Sequence, residues 1–257
     1  MNCKIISLFT LILLGVSSMY SKTIQYVIED TRVTLDINNY DQLDAENKKA
    51  VDELEKLIND AVAGDADSQC ELGFVYERGI LVEQNYDLAV YWYYEAAMQD
   101  HPMAINNLGY AYEKGLGVEQ DSQLAAKLYL DAATRGNAQA QDNLGCMYLR
   151  GDGVPQDFKI ANEWILKAAM QGEPKAQNQI GESYYDGRGI KQDYIKAKEW
   201  WEKSAAQGYA NAMCNLGLLY WNGEGLAKNE KMAKEWFKKA AEAGSFQAIM
   251  ILNDIEK

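Results

Sequence analysis

The sequence predicts an all-α solenoid of stacked helix pairs. Three observations carry the prediction. From Asp65 onward the chain repeats at a fixed spacing of 36 residues. Each unit holds two stretches whose apolar residues recur at helical spacing. Glycines stand where each stretch has to end. A period of this size, kept over five units, is the mark of a repeat architecture.

The units run 65–100, 101–136, 137–172, 173–208 and 209–244, and a half-unit begins at Ser245. One column reads Leu72, Leu108, Leu144, Ile180, Leu216 and Leu252. The next reads Gly73, Gly109, Gly145, Gly181 and Gly217. A tyrosine column follows at Tyr76, Tyr112, Tyr148, Tyr184 and Tyr220. Later in each unit come Ala89, Ala125, Ala161, Ala197 and Ala233, then Trp92, Leu128, Trp164, Trp200 and Trp236.

The third unit shows how one pair forms. Ala140, Leu144, Gly145 and Tyr148 share a face of the first helix. Gly151 stands where a left-handed residue ends a helix. Gly153 and Val154 turn the chain, and Asp157 can cap the second helix. That helix places Ala161, Trp164, Ala168 and Ala169 on one face, and Gly172 closes it. A glycine in mid-helix costs about 1 kcal/mol relative to alanine. Kept in one column five times, it implies a neighbour packed hard against it. The alanine column of the second helix is the expected neighbour, with Tyr and Trp filling the layer between units.

A solenoid needs polar ends. Residues 44–64 supply an N-terminal capping helix, with Val51, Leu54, Ile58, Ala61 and Val62 on one face. Residues 245–257 supply a closing helix, with Phe246, Ile249, Leu252 and Ile255 expected inward. In the segment 19–43, residues 23–37 alternate weakly as a strand does; a hairpin, a tail and a binding segment all fit. Residues 1–18 read as a signal peptide. Lys4 is its basic end and residues 5–16 its apolar run, shorter than the roughly 20 residues of a spanning helix. Val16, Ser17 and Ser18 suit cleavage after Ser18, and Ser21 is the next candidate. An uncleaved anchor is the alternative. The chain is expected in the periplasm or secreted, without a membrane span once the signal is removed. Cys3 precedes the apolar run and so cannot carry a lipoprotein lipid. Cys70, Cys146 and Cys214 read as small buried hydrophobes.

The full motif, L-G-x-x-Y-x-x-G-x-G-V-x-x-D-x-x-x-A-x-x-W-x-x-K-A-A-x-x-G, fits from Leu144, Gly145 and Tyr148 through Trp164 and Lys167 to Gly172. In this the chain resembles the Sel1-like repeat family, relatives of the tetratricopeptide repeats, over residues 65–252. The resemblance implies a right-handed α-solenoid of antiparallel helix pairs that binds other proteins in a concave groove. The first unit departs most. Leu81 replaces the second loop glycine and Asn85 the capping Asp, so its loop is expected to be shaped differently.

Charge narrows the partners. The 257 residues carry 25 Lys+Arg against 38 Asp+Glu, a net charge of −13. That disfavours a nucleic-acid backbone and an anionic lipid surface as partners. The excess is local: residues 65–100 hold 8 acids and 1 base, and the later units are close to neutral. The acidic end either caps the solenoid or steers a basic partner. With a single histidine, His101, there is almost no material for His-based metal or triad chemistry. No cofactor is expected.

Three sets of residues are candidates for binding. A polar column precedes each Leu-Gly: Glu71, Asn107, Asn143, Gln179 and Asn215. In the related tetratricopeptide repeats an asparagine here clamps a peptide backbone, and an amide side chain offers both the donor and the acceptor for that. Solvated or locally bonded amides are the alternative. Arg78, Lys114 and Arg150 form a column that could hold an acidic or C-terminal carboxylate peptide. Favourable charge at a helix C-terminus explains them equally. Phe74, Tyr110, Tyr185 and Trp221 stand in columns that are not uniformly apolar, where exposed aromatics anchor interfaces and buried ones pack laterally.

Other apparent motifs dissolve in the repeat. Arg150-Gly151-Asp152 uses the helix-ending glycine, and Gly187-x-Gly189 follows no strand. Cysteine-rich relatives in the family are associated with penicillin binding and β-lactamase activity. Their paired cysteines are missing here, as is any Ser-x-x-Lys. The reading is a non-enzymatic interaction scaffold or adaptor; a cell-wall glycan binder using the same aromatics is the further alternative.

Overall fold

The structure, a computed structural model, describes residues 21–28, 31–38 and 43–255. The signal peptide read at residues 1–18 lies outside the described residues, as do parts of the 19–43 segment. Two compact units divide the chain, Met1–Gln120 and Asp121–Lys257. The first holds strands β1 (Ser21–Ile28) and β2 (Thr31–Asn38) and helices α1 (Ala45–Val62), α2 (Ala66–Arg78), α3 (Tyr86–Ala97) and α4 (Pro102–Lys114). The second holds α5 (Ser122–Thr134), α6 (Ala138–Arg150), α7 (Phe158–Met170), α8 (Pro174–Asp186), α9 (Tyr194–Ala206), α10 (Ala210–Asn222), α11 (Glu230–Glu242) and α12 (Phe246–Ile255). Among the described residues the fold is therefore all-α but for one hairpin. Its helices alternate as first and second members of a repeated pair.

Of the three fates open to the N-terminal segment, it takes the hairpin. β1 and β2 pair antiparallel, Ser21 opposite Asn38 through to Ile28 opposite Thr31. Strand side chains alternate, so Lys22, Ile24 and Tyr26 share a face. Ile24 and Tyr26 are buried. The Tyr26 ring lies 6.0 Å from that of Trp92, and its hydroxyl bonds the Tyr76 hydroxyl. Lys22 Nζ reaches Asp52 and Glu55 of α1, both at 2.7 Å. The hairpin thus buries Trp92, while Trp164, Trp200 and Trp236 stay half-buried.

Capping chemistry sets the helix boundaries. Asp44 accepts the Asn47 N–H at the start of α1, whose Val51, Leu54, Ile58 and Ala61 are buried. Gly151 takes φ +71° and returns its N–H to Met147 O at 2.8 Å, ending α6. Asp157 then accepts N–H groups of Lys159 and Ile160, starting α7. Asn85 caps α3 equally well, accepting from Leu88 N at 3.0 Å. The first loop also keeps the common conformation. Leu81 holds φ +62°, close to the +68° of Gly117 in the next repeat, so the expected change of shape does not occur. Gly117 is needed because a Cβ there would lie 2.4 Å from Tyr86 O of the preceding second helix. Leu81 has Ala50 of α1 in the place of Tyr86, and the two residues line an open groove rather than a closed contact.

The mid-helix glycine does admit a close neighbour, but chiefly a different one from that expected. A Cβ on Gly73 would meet the Tyr93 ring at 2.6 Å, and on Gly217 the Phe237 ring at 2.4 Å. Ile165 and Trp201 stand against Gly145 and Gly181 in the same way. The alanine column contributes its carbonyl oxygen, Ala89 O and Ala161 O each at 3.1 Å, so its small side chain is secondary. A large residue four places after the alanine fills the space that glycine leaves.

Buried glutamines join successive repeats. Gln141 Nε2 donates to Ala133 O at 3.1 Å, and Gln171 Nε2 donates to Gln141 Oε1 at 2.8 Å and to Gly136 O at 3.1 Å. Gln177 and Gln207 repeat this on Ala169 O and Gly172 O, and Gln69 and Gln99 on Ala61 O and Gly64 O. At the C-terminal end the expectation for α12 needs correction. Phe246 and Ile249 are exposed, and Leu252 and Ile255 are only half-buried. Among the described residues no second helix covers them.

Candidate interaction surface of the first helices

The first helices carry all three candidate sets. In the first unit, Phe74 and Tyr110 are 42% and 40% exposed, on α2 and α4. Arg78 and Lys114, one turn further on, place their cations 5.4 Å and 5.8 Å from the centres of those rings. Both cations also sit beside acids, Arg78 at 3.7 Å from Glu77 and Lys114 at 2.7 Å from Glu113. They occupy last turns, where the helix dipole favours them. Arg150 is exposed at the same place on α6.

The amide column is half-buried at Asn107, Asn143, Gln179 and Asn215, while Glu71 is exposed. The amides also bond to side chains around them, Gln179 and Asn215 to those of the preceding repeat. Asn107 Oδ1 accepts from Asn106 Nδ2 at 3.1 Å. Gln179 Nε2 donates to Cys146 Sγ at 3.0 Å, across from α8 to α6. Asn215 Nδ2 donates to Asn178 Oδ1 at 3.0 Å and to Glu182 Oε1 at 3.3 Å, from α10 to α8. Beside Gln179, Lys175 Nζ reaches Asp142 Oδ2 at 2.7 Å. Asp142 Oδ1 and Gln179 Oε1 are buried with no hydrogen-bond partner in the structure. The locally bonded alternative therefore describes much of this column.

The aromatics divide by unit. Tyr185 and Trp221 are half-buried, so lateral packing describes them better than exposure. The Tyr185 ring meets those of Tyr194 and Trp201 at 5.3 Å and 5.5 Å, and its hydroxyl donates to Glu224. Burial and that carboxylate push its hydroxyl up to about 12. Trp221 packs beside the cluster of Cys214, Phe237 and Ala248, with Lys228 Nζ 5.4 Å from its ring centre.

The remaining titratable groups are structural. Cys70, Cys146 and Cys214 are buried free thiols. Burial pushes all three up, Cys70 to about 12. His101 caps α4 through Nδ1 and bonds Asp67 Oδ1 at 2.9 Å through Nε2. Among the described residues, no cluster of three or more His, Cys, Asp or Glu is placed to hold a metal, and no helix is long and apolar enough to cross a membrane. Sequence reasoning missed Asn106, Asp142 and Asn178, the buried polar neighbours of the amides. A signal was present, since that column is polar in three successive units and Cys70 or Cys214 at either end.

Helix pairs at 36-residue intervals, with polar and aromatic columns on the first helices, define a helical repeat protein. The Sel1 repeat model matches residues 66–101, 102–137, 138–173, 174–209 and 210–245, and the chain belongs to the Sel1 repeat family. Proteins of this family are in general interaction scaffolds without enzymatic activity. The chain is similar to a protective antigen present in uropathogenic Escherichia coli strains, which displays the same repeat fold. Identity is 33% and the TM-score 0.71, over 76% of this chain and 42% of that one. The present chain thus spans about two fifths of that antigen's length. It is equally similar to a Sel1 repeat protein from Oxalobacter formigenes, at 31% identity and TM-score 0.71, over 76% of this chain and 79% of that one. No curated protein matches the chain.

Proposed function

We propose that the protein is an exported scaffold or adaptor that binds a peptide or helix along the exposed face of its first helices. The observation that carries this is the surface of α2 and α4. Phe74 and Tyr110 stand exposed at equivalent positions, each with a cation over its ring. Aromatic and Arg anchors are the side chains that dominate binding energy in interfaces. In the same compact unit Asn107 adds an amide and Arg78 and Lys114 are the cations; in the other, taken by itself, Asn143, Gln179 and Asn215 offer amides, Arg150 a cation, and Tyr185 and Trp221 aromatic rings. A peptide would exchange its own amide groups for the sideways bonds these side chains now make. Export rests on the apolar run at residues 5–16.

The test begins with affinity capture from an envelope extract and identification of the retained protein. Its affinity is then measured against Phe74→Ser/Tyr110→Ser and against Asn107→Ala/Asn143→Ala/Asn215→Ala. We expect at least a tenfold loss for the aromatic pair with helicity unchanged; equal affinity in both variants refutes the surface. N-terminal sequencing of the mature protein tests export, with a start at residue 19 or 22 expected.

A further inference from the structure

A groove of about 450 Å³ opens between α1 and α2 at the N-terminal end of the repeats. It occupies the place of a missing helix. Shifted by one 36-residue period, α1 corresponds to a second helix, since Ala61 aligns with Ala97 and Leu57 with Tyr93. Among the described residues no first helix accompanies it. In later repeats the column of Ser68 is alanine, and Ala104, Ala140, Ala176 and Ala212 are wholly buried. Ser68 instead lines the groove, half-exposed, with Val75 beside it. No described residue of the hairpin lines the groove, and Lys22 ties the hairpin to Asp52 and Glu55 outside it.

The lining departs from the repeat pattern in two ways. Glu53 and Asp60 occupy the columns of Ala89 and Ala96, which α3 buries against its own first helix. Glu71 stands across from them in the column where later repeats carry an amide. Lys56 is the one cation of the lining, and Lys49 Nζ lies 3.3 Å from Glu53. Between the acids the surface is apolar, formed by Leu54, Leu57, Ile80 and Leu81. Ile80 and Leu81 are 45% and 47% exposed. Leu81 keeps the left-handed backbone that glycine holds in the other loops, a conformation unfavourable to a branched side chain. The chain thus adds apolar surface and acids together where the repeat pattern has glycine and alanine.

We propose that this groove is a docking site for a cationic amphipathic helix of another protein, lying in the vacant first-helix position. Apolar residues at i, i+3, i+4 and i+7 would enter between Leu57 and Leu81. Flanking Lys or Arg would meet Glu53, Asp60 and Glu71. The acidic segment 65–100, with 8 acids to 1 base, raises the association rate of such a helix. This site is separate from the Phe74 and Tyr110 surface and stands whether or not that surface binds a peptide.

The probe is a fluorescein-labelled helical peptide with Leu at those spacings and Lys elsewhere, titrated into the intact protein by fluorescence anisotropy. A Leu/Glu peptide of the same pattern is the comparison. The Leu/Lys peptide should bind at least tenfold more tightly. Leu81→Gly restores the repeat's own residue and should weaken binding at least fivefold with the fold intact. Glu53→Ala/Asp60→Ala restores the alanine columns and should reduce both affinity and its salt dependence. Glu83→Ala/Asp87→Ala removes the same charge outside the groove and should leave affinity within twofold. If the two charge-removal pairs weaken binding equally, or Leu81→Gly has no effect, the attraction is non-specific and the proposal fails. It also fails if the protein alone self-associates with concentration and Leu81→Gly abolishes that, since the occupant is then a second copy.

Discussion

Replacing Gly217 by alanine sets helix propensity against packing. In an unobstructed helix the change stabilises by about 1 kcal/mol. Here the new methyl would lie 2.4 Å and 2.5 Å from two carbons of the Phe237 ring. Phe237 is wholly buried and packed with Cys214, Ala233, Ala240 and Ala248, so the ring has little room to retreat. Overpacking of this kind costs about 1–3 kcal/mol. The expected net effect of Gly217→Ala is a destabilisation of about 1 kcal/mol. In a Phe237→Leu background the obstructing ring carbons are gone, and the same change should become neutral or stabilising. The cycle therefore has a coupling energy on the order of 1–2 kcal/mol. Urea denaturation followed by helical circular dichroism measures all four proteins. Hydrogen exchange in α10 and α11 checks that the loss is local, because a repeat array need not unfold in one step. A gain of the full propensity in the wild-type background, or the same change in both backgrounds, refutes the assignment of the glycine to the ring.

Gln177→Met removes the bonds to Ala169 O and Gln207 and should lower stability by about 1–2 kcal/mol. Gln177→Met/Gln207→Ala copies the Met213 and Ala243 of the next repeat and should recover part of that in thermal denaturation. Tyr185 has its hydroxyl raised from 10.0 to about 12 by burial and by Glu224. A raised folded value means its contribution is complete below pH 10 and is lost as the pH climbs towards 12. Denaturation across that window should show falling stability, with a shallower fall in Tyr185→Phe. Cys70, Cys146 and Cys214 are buried with raised thiols. They should resist a thiol reagent at pH 8 in the native protein and react in denaturant, which mass spectrometry of the labelled chain reads directly.

The helix pairs were legible because their boundaries are written in local chemistry. Gly151 and Asp157 end and start helices by their own conformation and side-chain bonds, needing nothing from distant residues. Tertiary contacts were harder to read. The glycine column announced a close approach, yet its partner lay four residues past the alanine, in a column that varies from Tyr93 to Ile165 to Phe237. Bulk is kept in that column and residue type is not, so no single residue marks it in the sequence. The hairpin was ambiguous because alternation in residues 23–37 is weak. Only one face, that of Ile24 and Tyr26, meets the helices. The amides of Asn107, Asn143, Gln179 and Asn215 are half-buried. Their sideways bonds to Cys146 and Asn178 come from the spacing of neighbouring repeats, which no single repeat encodes.

The glutamine pairs also set an order of opening. They latch α2 to α1, α6 to α5 and α8 to α7. Ile105 and Met213 stand at the corresponding sites of α4 and α10, where the side chain has no amide to form such a latch. In a repeat array each junction carries its own coupling, and the weakest one opens first. A latch holds two backbones at one register, while a contact without one lets them slide. Strain on the chain from its C-terminal end would therefore meet the side-chain bonds of Asn215 and Glu224 to α8 before α10, α11 and α12 part together, and would first meet a glutamine latch at Gln177. In mechanical terms the second compact unit has a breakaway segment, three helices long, ahead of helices latched to one another through their backbones.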